Sequence, residues 1–106
     1  MSDGSPSSQT TKQPDYKGAA IAYAEPYILR ILKSPSTADF CRGTVIDLGD
    51  NKYRVSSCVD SQNSFGATLR SNWEAVMVYT SGDPDNIASW KAEKITFDGK
   101  VVFEAK

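Results

Sequence analysis

Three textures of apolar and polar residues follow one another along the chain. Residues 2 to 15 (SDGSPSSQTTKQPD) contain no apolar side chain. Such a stretch cannot offset an ordering cost of about 1–2 kcal/mol per residue, so 1–15 is expected to be a disordered tail or linker. From residue 16 to 33 the apolar positions take a helical period. Ala20, Ile21, Ala24, Tyr27, Ile28, Ile31 and Leu32 fall on one face, with Asp15 placed to cap the start. Pro26 lies on the opposite face, where water can replace its missing bond to the Ala22 carbonyl. One helix kinked at Pro26, or two short collinear ones, is therefore expected. Ser34-Pro35 ends it, and PSTADF makes one further turn, capped by Ser34, that docks Phe40.

After Phe40 the period becomes two. Thr44, Ile46 and Leu48 share a face that Tyr53, Val55 and Val59 continue beyond a turn at Gly49-Asp50-Asn51. Leu69, Trp73, Ala75, Met77 and Tyr79 alternate along one face of a long strand from Thr68 to Thr80. TSGDPDN (Thr80 to Asn86) reads as a surface loop, and Lys91 to Lys94 (KAEK) as a solvated strand edge. Asp98-Gly99, between Ile95-Thr96-Phe97 and Val101-Val102-Phe103, is a type I′ hairpin signal. Residues 16–106 thus form a single α+β domain, with one N-terminal helix packed on an antiparallel meander of about four to five strands, drawn as a cystatin-like wrap. One helix leaves the other sheet face partly open, and a partner is expected there first.

The two cysteines fall on the strands flanking the first turn. If Gly49-Asp50 is the turn, Cys41 lies directly opposite Cys58; if Asp50-Asn51 is, the two are diagonal neighbours. Both registers put them on the face opposite Tyr53 and Val55. Direct opposition brings the Cβ atoms within disulfide reach and a diagonal placement does not. A Cys41–Cys58 bond and a pair of reduced, half-buried thiols both fit. The bond would imply an oxidising compartment.

Composition narrows the chemistry. The chain of 106 residues has no histidine, which removes Ser-His-Asp and Cys-His nucleophile systems and the HExxH metal helix. Two cysteines without histidine make no common zinc site. Asp83, Asp85 and Asn86 lack the spacing of a calcium loop, so no metal and no cofactor is expected. Lys and Arg number 12 against 13 acidic residues, a balance that argues against nucleic acid as partner. Asp3, Lys12 and Asp15 carry the net charge of −1, leaving the remainder neutral and weak self-association open. No apolar run reaches the length of a membrane span.

The segment between the second and third strands, CVDSQNSFGATLRSNW (Cys58 to Trp73), is rich in turn-forming side chains. Arg70 is placed to pair with Asp60 across the hairpin. Gln62, Asn63 and Arg70 beside Phe65 offer amides, a guanidinium and an aromatic ring on one rim, which suits recognition and is insufficient for catalysis. Trp73 and Trp90 read as core residues.

LKSPSTADF (Leu32 to Phe40) together with YRVSSCVDSQNSFGATLRSNW (Tyr53 to Trp73) resembles a small, mostly uncharacterised bacterial and phage-associated domain with the pattern LKSPSTAxF, then VDxQNxFG, then an Arg and an aromatic on the next strand. Members of that family occur as predicted lipoproteins or secreted proteins. The resemblance covers about forty residues and implies an architecture and a cell-envelope setting rather than a mechanism. Cys41 and Cys58 are additions to the pattern, and no lipobox cysteine stands near Met1.

The function expected from the sequence is therefore a non-enzymatic binding domain for a protein partner, exported or envelope-associated, with Asp60, Gln62, Asn63, Phe65 and Arg70 as binding residues and no catalytic residue. Two other classes are a structural or assembly module without ligand, and a small hydrolase using carboxylates or Ser61 and Ser64. A flat exposed apolar patch points to binding, and a cleft with perturbed carboxylates to hydrolysis.

Overall fold

The computed structural model describes residues 16–105; the polar segment 1–15, with the expected Asp15 cap, lies outside the described residues. Helix α1 spans Tyr16–Leu29. Its buried face is small, with Ala20, Ala24 and Ile28 wholly inaccessible and Ala19 beside them. Ile21, Tyr27 and Leu32 flank this stripe as half-buried packing residues. Alanines let the helix axis come close to the sheet, so large sheet residues supply most of the core volume.

Of the two alternatives for Pro26, one helix runs through it without a break; Ala22, whose carbonyl loses its partner there, is exposed and can bond to water. One expectation for the helix is corrected. It stops at Leu29, four residues before Lys33, with the Ile31 N–H donating to the Ile28 carbonyl at 3.0 Å in a tightened last turn. Ile28 is the last wholly buried residue of the helix, and Leu32 beyond it is half-buried against the core. Ile31, expected on the apolar face, is 36% exposed. A 3-10 turn at Pro35–Thr37 follows. Ser34 does not cap it with its side chain; instead its carbonyl accepts from the Thr37 N–H and from Thr37 Oγ1.

Six antiparallel strands form one sheet: β1 (Asp39–Phe40), β2 (Thr44–Gly49), β3 (Lys52–Gln62), β4 (Thr68–Tyr79), β5 (Trp90–Phe97) and β6 (Lys100–Glu104). β1 and β2 both pair with the outer edge of β3, and the sheet continues through β4 and β5 to β6. β6 pairs with β5 only from Lys94 onward. Among the described residues, 91–93 therefore have β4 as their one strand neighbour, apart from the Ala105 N–H that donates to the Glu93 carbonyl. This segment is largely the strand edge expected from the sequence. Its charges project from the sheet faces, and Lys52 Nζ lies 2.9 Å from Glu93 Oε2.

The largest correction concerns β2. Val45 stands opposite Val55 and Ile46 opposite Arg54, a register one residue away from both alternatives anticipated. A one-residue slip exchanges faces. Val45 packs against the core, whereas Ile46 and Leu48 are 49% and 44% exposed on the face away from the helix and Thr44 is exposed beside them.

The sequence reading failed here because the register changes along the strand pair. At the turn Gly49 opposes Lys52, leaving Asp50 and Asn51 as the loop with φ of 54° and 63°. In β1, Phe40 opposes Val59, and the Cys41 N–H donates to the Cys58 carbonyl at 2.9 Å. The shift between these registers is absorbed at Arg42-Gly43. A Cβ on Gly43 would sit 3.1 Å from both the Ser56 carbonyl oxygen and Ser57 Cβ, so a larger residue there would push β3 aside by a few tenths of an ångström and glycine favours the close crossing. Cys41 and Cys58 are joined by a disulfide with a Cα–Cα separation of 5.2 Å. It pins β1 to β3 on the face opposite Tyr53 and Val55.

The helix lies over Tyr53, Val55, Val59, Trp73, Ala75, Met77, Trp90, Ala92 and Ile95, all of them buried. At its start Tyr16 meets the Tyr79 ring edge-on at 5.1 Å, and Tyr53 and Tyr79 lie 5.7 and 5.6 Å from Trp90. The Trp90 indole N–H donates to the Pro84 carbonyl, which ties the 80–89 loop to the core. Trp73 packs edge-on against Phe40 at 6.1 Å, so the SPSTADF segment docks as expected. The Asp98-Gly99 hairpin also forms as expected, with φ of 51° and 82°.

Two measurements test this arrangement. The double substitution Cys41→Ser, Cys58→Ser is expected to lower unfolding free energy by about 3 kcal/mol in urea titration, the entropy of closing a loop of this length. Val45→Asp is expected to cost about 2 kcal/mol or more, and Ile46→Asp less than about 1 kcal/mol. The reverse order would assign β2 to the other register.

Candidate functional site

A helix of 14 residues is about 21 Å long, and a strand of 12 residues about 40 Å. The helix therefore cannot cover the β3–β4 hairpin. Its aromatic cluster anchors it at the Tyr53–Met77 end, and the opposite end, from Ser61 and Leu69 outward, projects beyond it. All five residues predicted as a binding rim lie at that uncovered end, and the structure distributes them over three places.

On the open sheet face Asp60 and Arg70 are cross-strand partners. Arg70 Nε and Nη2 donate to the two carboxylate oxygens of Asp60 at 2.7 and 3.0 Å. This bidentate hydrogen bond holds the Asp60 carboxyl below its ordinary value and raises Arg70. Asp39 stands directly opposite Asp60 on β1 and adds to the field on Arg70. These groups satisfy one another and form the edge of the site rather than a free recognition pair. Polar pairs continue along the middle of this face, with Ile46 and Leu48 exposed on its β2 side. Ser56 Oγ donates to Glu74 at 3.3 Å, Arg54 lies 3.8 Å from the same carboxylate, and a shallow depression of about 360 Å³ runs beside Ser56, Asn72, Glu74 and Thr96.

At the tip, Asn63 builds the turn. Its side-chain oxygen accepts from the Phe65 and Ala67 N–H groups at 2.9 and 3.0 Å, while its own N–H donates to the Ala67 carbonyl and its carbonyl accepts from the Gly66 N–H. Gly66 takes the positive φ of 83° that this closure needs. The amide predicted to meet a ligand is thus occupied in holding the loop. The loop in turn presents Phe65, which is 92% exposed.

On the helix side, the overhang leaves a groove of about 210 Å³ between the end of α1 and the sheet. Ile31 and Leu32 form one wall, Leu69 and Phe97 the other, and Ser61 and Gln62 lie along it. Leu69 is 53% exposed. The Gln62 N–H donates to Thr37 Oγ1 at 2.9 Å, and Asp39 and Phe40 pair with Asp60 and Val59. The two sequence blocks, Leu32 to Phe40 and Tyr53 to Trp73, therefore meet in space, and together they frame the groove.

Sequence reasoning missed Ile31, Leu69 and Phe97 as site residues because alternation and helical period assigned them to the core. The legible signal was length: the apolar period of β4 runs further than one short helix can cover. Asp83 and Asn86, weighed as metal ligands, have side-chain oxygens that accept the Asp85 and Ala88 N–H groups within their own loop. No group of three or more metal-binding side chains occurs among the described residues. No described helix is long and apolar enough to cross a membrane. Compared with protein-family models, with curated proteins and with solved structures, the chain matches none.

The lowered Asp60 value sets the sign of a pH effect. Stabilisation by the pair is complete above the ordinary aspartate value of about 3.8 and is lost as pH falls through the lower folded-state value. Wild type is expected to exceed Asp60→Asn in urea midpoint at pH 7, and the difference is expected to shrink as pH falls below the ordinary aspartate range, measured at matched ionic strength.

Proposed function

We propose that this domain is a non-enzymatic binding module whose contact surface is the uncovered end of the β3–β4 hairpin. The observation that carries this reading is Phe65: a large apolar side chain, 92% exposed, held out by a turn whose backbone groups are hydrogen-bonded to one another and to Asn63. An aromatic ring with two rotatable bonds on a fixed loop is a pre-organised anchor, since little conformational entropy remains to be lost on binding. The adjacent groove continues the apolar surface through Ile31 and Leu69. Of the two surfaces expected from the sequence, the open sheet face and the loop from Asp60 to Gly66, this reading rests on the loop.

The side chains at this end favour binding over hydrolysis. The Asp60 carboxyl is pushed down by Arg70, whereas a general acid needs its value raised. Glu25 is pushed up by burial, but it sits on α1 outside the groove. Ser61 and Ser64 have no hydrogen-bonded base among the described residues, and a hydroxyl without one is a weak nucleophile. The Cys41–Cys58 disulfide supports an exported or envelope setting, because such bonds persist in oxidising compartments. That setting agrees with the resemblance carried by LKSPSTADF and VDSQNSFG.

Selection from a random peptide library displayed on phage tests the reading. Enriched peptides are expected to bind Phe65→Ala at least about tenfold more weakly than wild type, with Ile46→Ala unchanged and both variants as stable as wild type. Enriched peptides that bind Phe65→Ala as tightly as wild type would overturn it.

A further inference from the structure

The groove at the end of α1 is lined by hydrogen-bond donors as well as by carbon. Ser61 follows Val55 and Val59 on the helix side of β3 and stands opposite Leu69. It is 9% exposed, lines the groove, and has no side-chain hydrogen-bond partner among the described residues. A hydroxyl buried that far is costly unless water or a ligand meets it. Ser71, diagonal to it across the strand pair, also lines the groove and is likewise unpartnered among the described residues. Asn63 lines the groove too. Both bonds to its side chain are accepted by Oδ1, which leaves its NH2 group free to donate. Lys33 brings the one charge of the lining, and no ion pair holds it among the described residues. No acid lines the groove, since Asp60 lies on the other face with Arg70 bonded to it.

We infer that the groove takes the C-terminus of a partner peptide, with the terminal carboxylate on these donors and an apolar last side chain between Ile31 and Leu69. The inference rests on the proposed function and names the chemistry of the partner for that surface.

Charge selects the carboxylate. An ammonium, two hydroxyls and an amide NH2 can all donate, a set that an anionic acceptor satisfies and a cation or a wholly apolar ligand does not. The Gln62 amide, which can donate or accept, completes the polar side. Size selects a single residue. An apolar cavity of about 150 Å³ holds a benzene ring, and the groove measures about 210 Å³. That is room for one side chain with its carboxylate and too little for a long acyl chain. Position selects a peptide end. The groove shares Asn63 with the turn that presents Phe65, so the residues before the last one run on toward the exposed ring.

Affinity selection of short synthetic peptides of random sequence on the disulfide-bonded chain tests this, with one library ending in a free carboxylate and another in a carboxamide. Peptides enriched from the acid library are expected to end in an apolar residue and to lose at least about tenfold in affinity when amidated. Lys33→Ala is expected to weaken them by about tenfold and to flatten their dependence on salt, with Lys33→Arg retaining both. Lys33 is exposed, so its variants keep the fold, and an unchanged urea midpoint verifies this. Peptides that bind as tightly when amidated, or that show no preference at the last position, would overturn the inference. If those same peptides still bind Phe65→Ala more weakly, the proposed function stands without it. An acid library that enriches nothing overturns the inference as well. Binding of laurate in that case assigns the groove to a lipid acid, and the phage selection decides the proposed function separately.

Discussion

The mismatch in length between one short helix and one long hairpin governs this molecule. β3 and β4 pair without interruption from Lys52 opposite Val78 to Gln62 opposite Thr68. That ladder can present apolar residues along its whole length, but α1 can shield only about half of it. The side chains under the helix become core. Those beyond it, by the same alternation, become an exposed groove. Core and candidate site are thus one apolar stripe, divided by where the helix ends.

Two devices keep the uncovered end from collapsing or fraying. The segment after α1 returns along β3 through Thr37, Asp39 and Phe40, and the Cys41–Cys58 bond fastens it where the strand pairing ends. The Asn63 turn closes the hairpin with its own backbone groups and one amide, so no solvent-facing residue is needed to hold it. The open sheet face, which a single helix also leaves bare, is handled differently: Asp60–Arg70 and Ser56–Glu74–Arg54 pair across it, while Ile46 and Leu48 stay exposed on its β2 side.

Much of this was legible in the residues. Period and turn chemistry located the helix, the long third strand, the Asp98-Gly99 hairpin and the Asp60–Arg70 pair, because each depends on side chains close in sequence or directly opposed. The β2 face was not legible. Its register is set by a crossing at Gly43, where the cause is the approach of Ser56 and Ser57 from another strand. The helix end escaped because Ile31 and Leu32 continue the helical period beyond Leu29, where the helix stops. In the site, the residue types were recognised but not their duties. Asn63 looks the same in sequence whether its amide meets a ligand or its own turn.

The bulge in the last hairpin has a consequence for colloidal behaviour. Ile95 opposes Phe103, and the neighbouring Thr96 opposes Val101, so Val101 and Phe103 point to opposite faces with Val102 as the extra residue between them. Among the described residues β6 has no outer strand partner, and it carries three consecutive apolar side chains, each at least 42% exposed. A regular edge of that composition would template addition of further strands and growth into fibrils. An incoming strand with strict alternation cannot follow β6 across the bulge, so stacking stops after a few residues. An apolar terminal strand is thereby compatible with a dispersed protein.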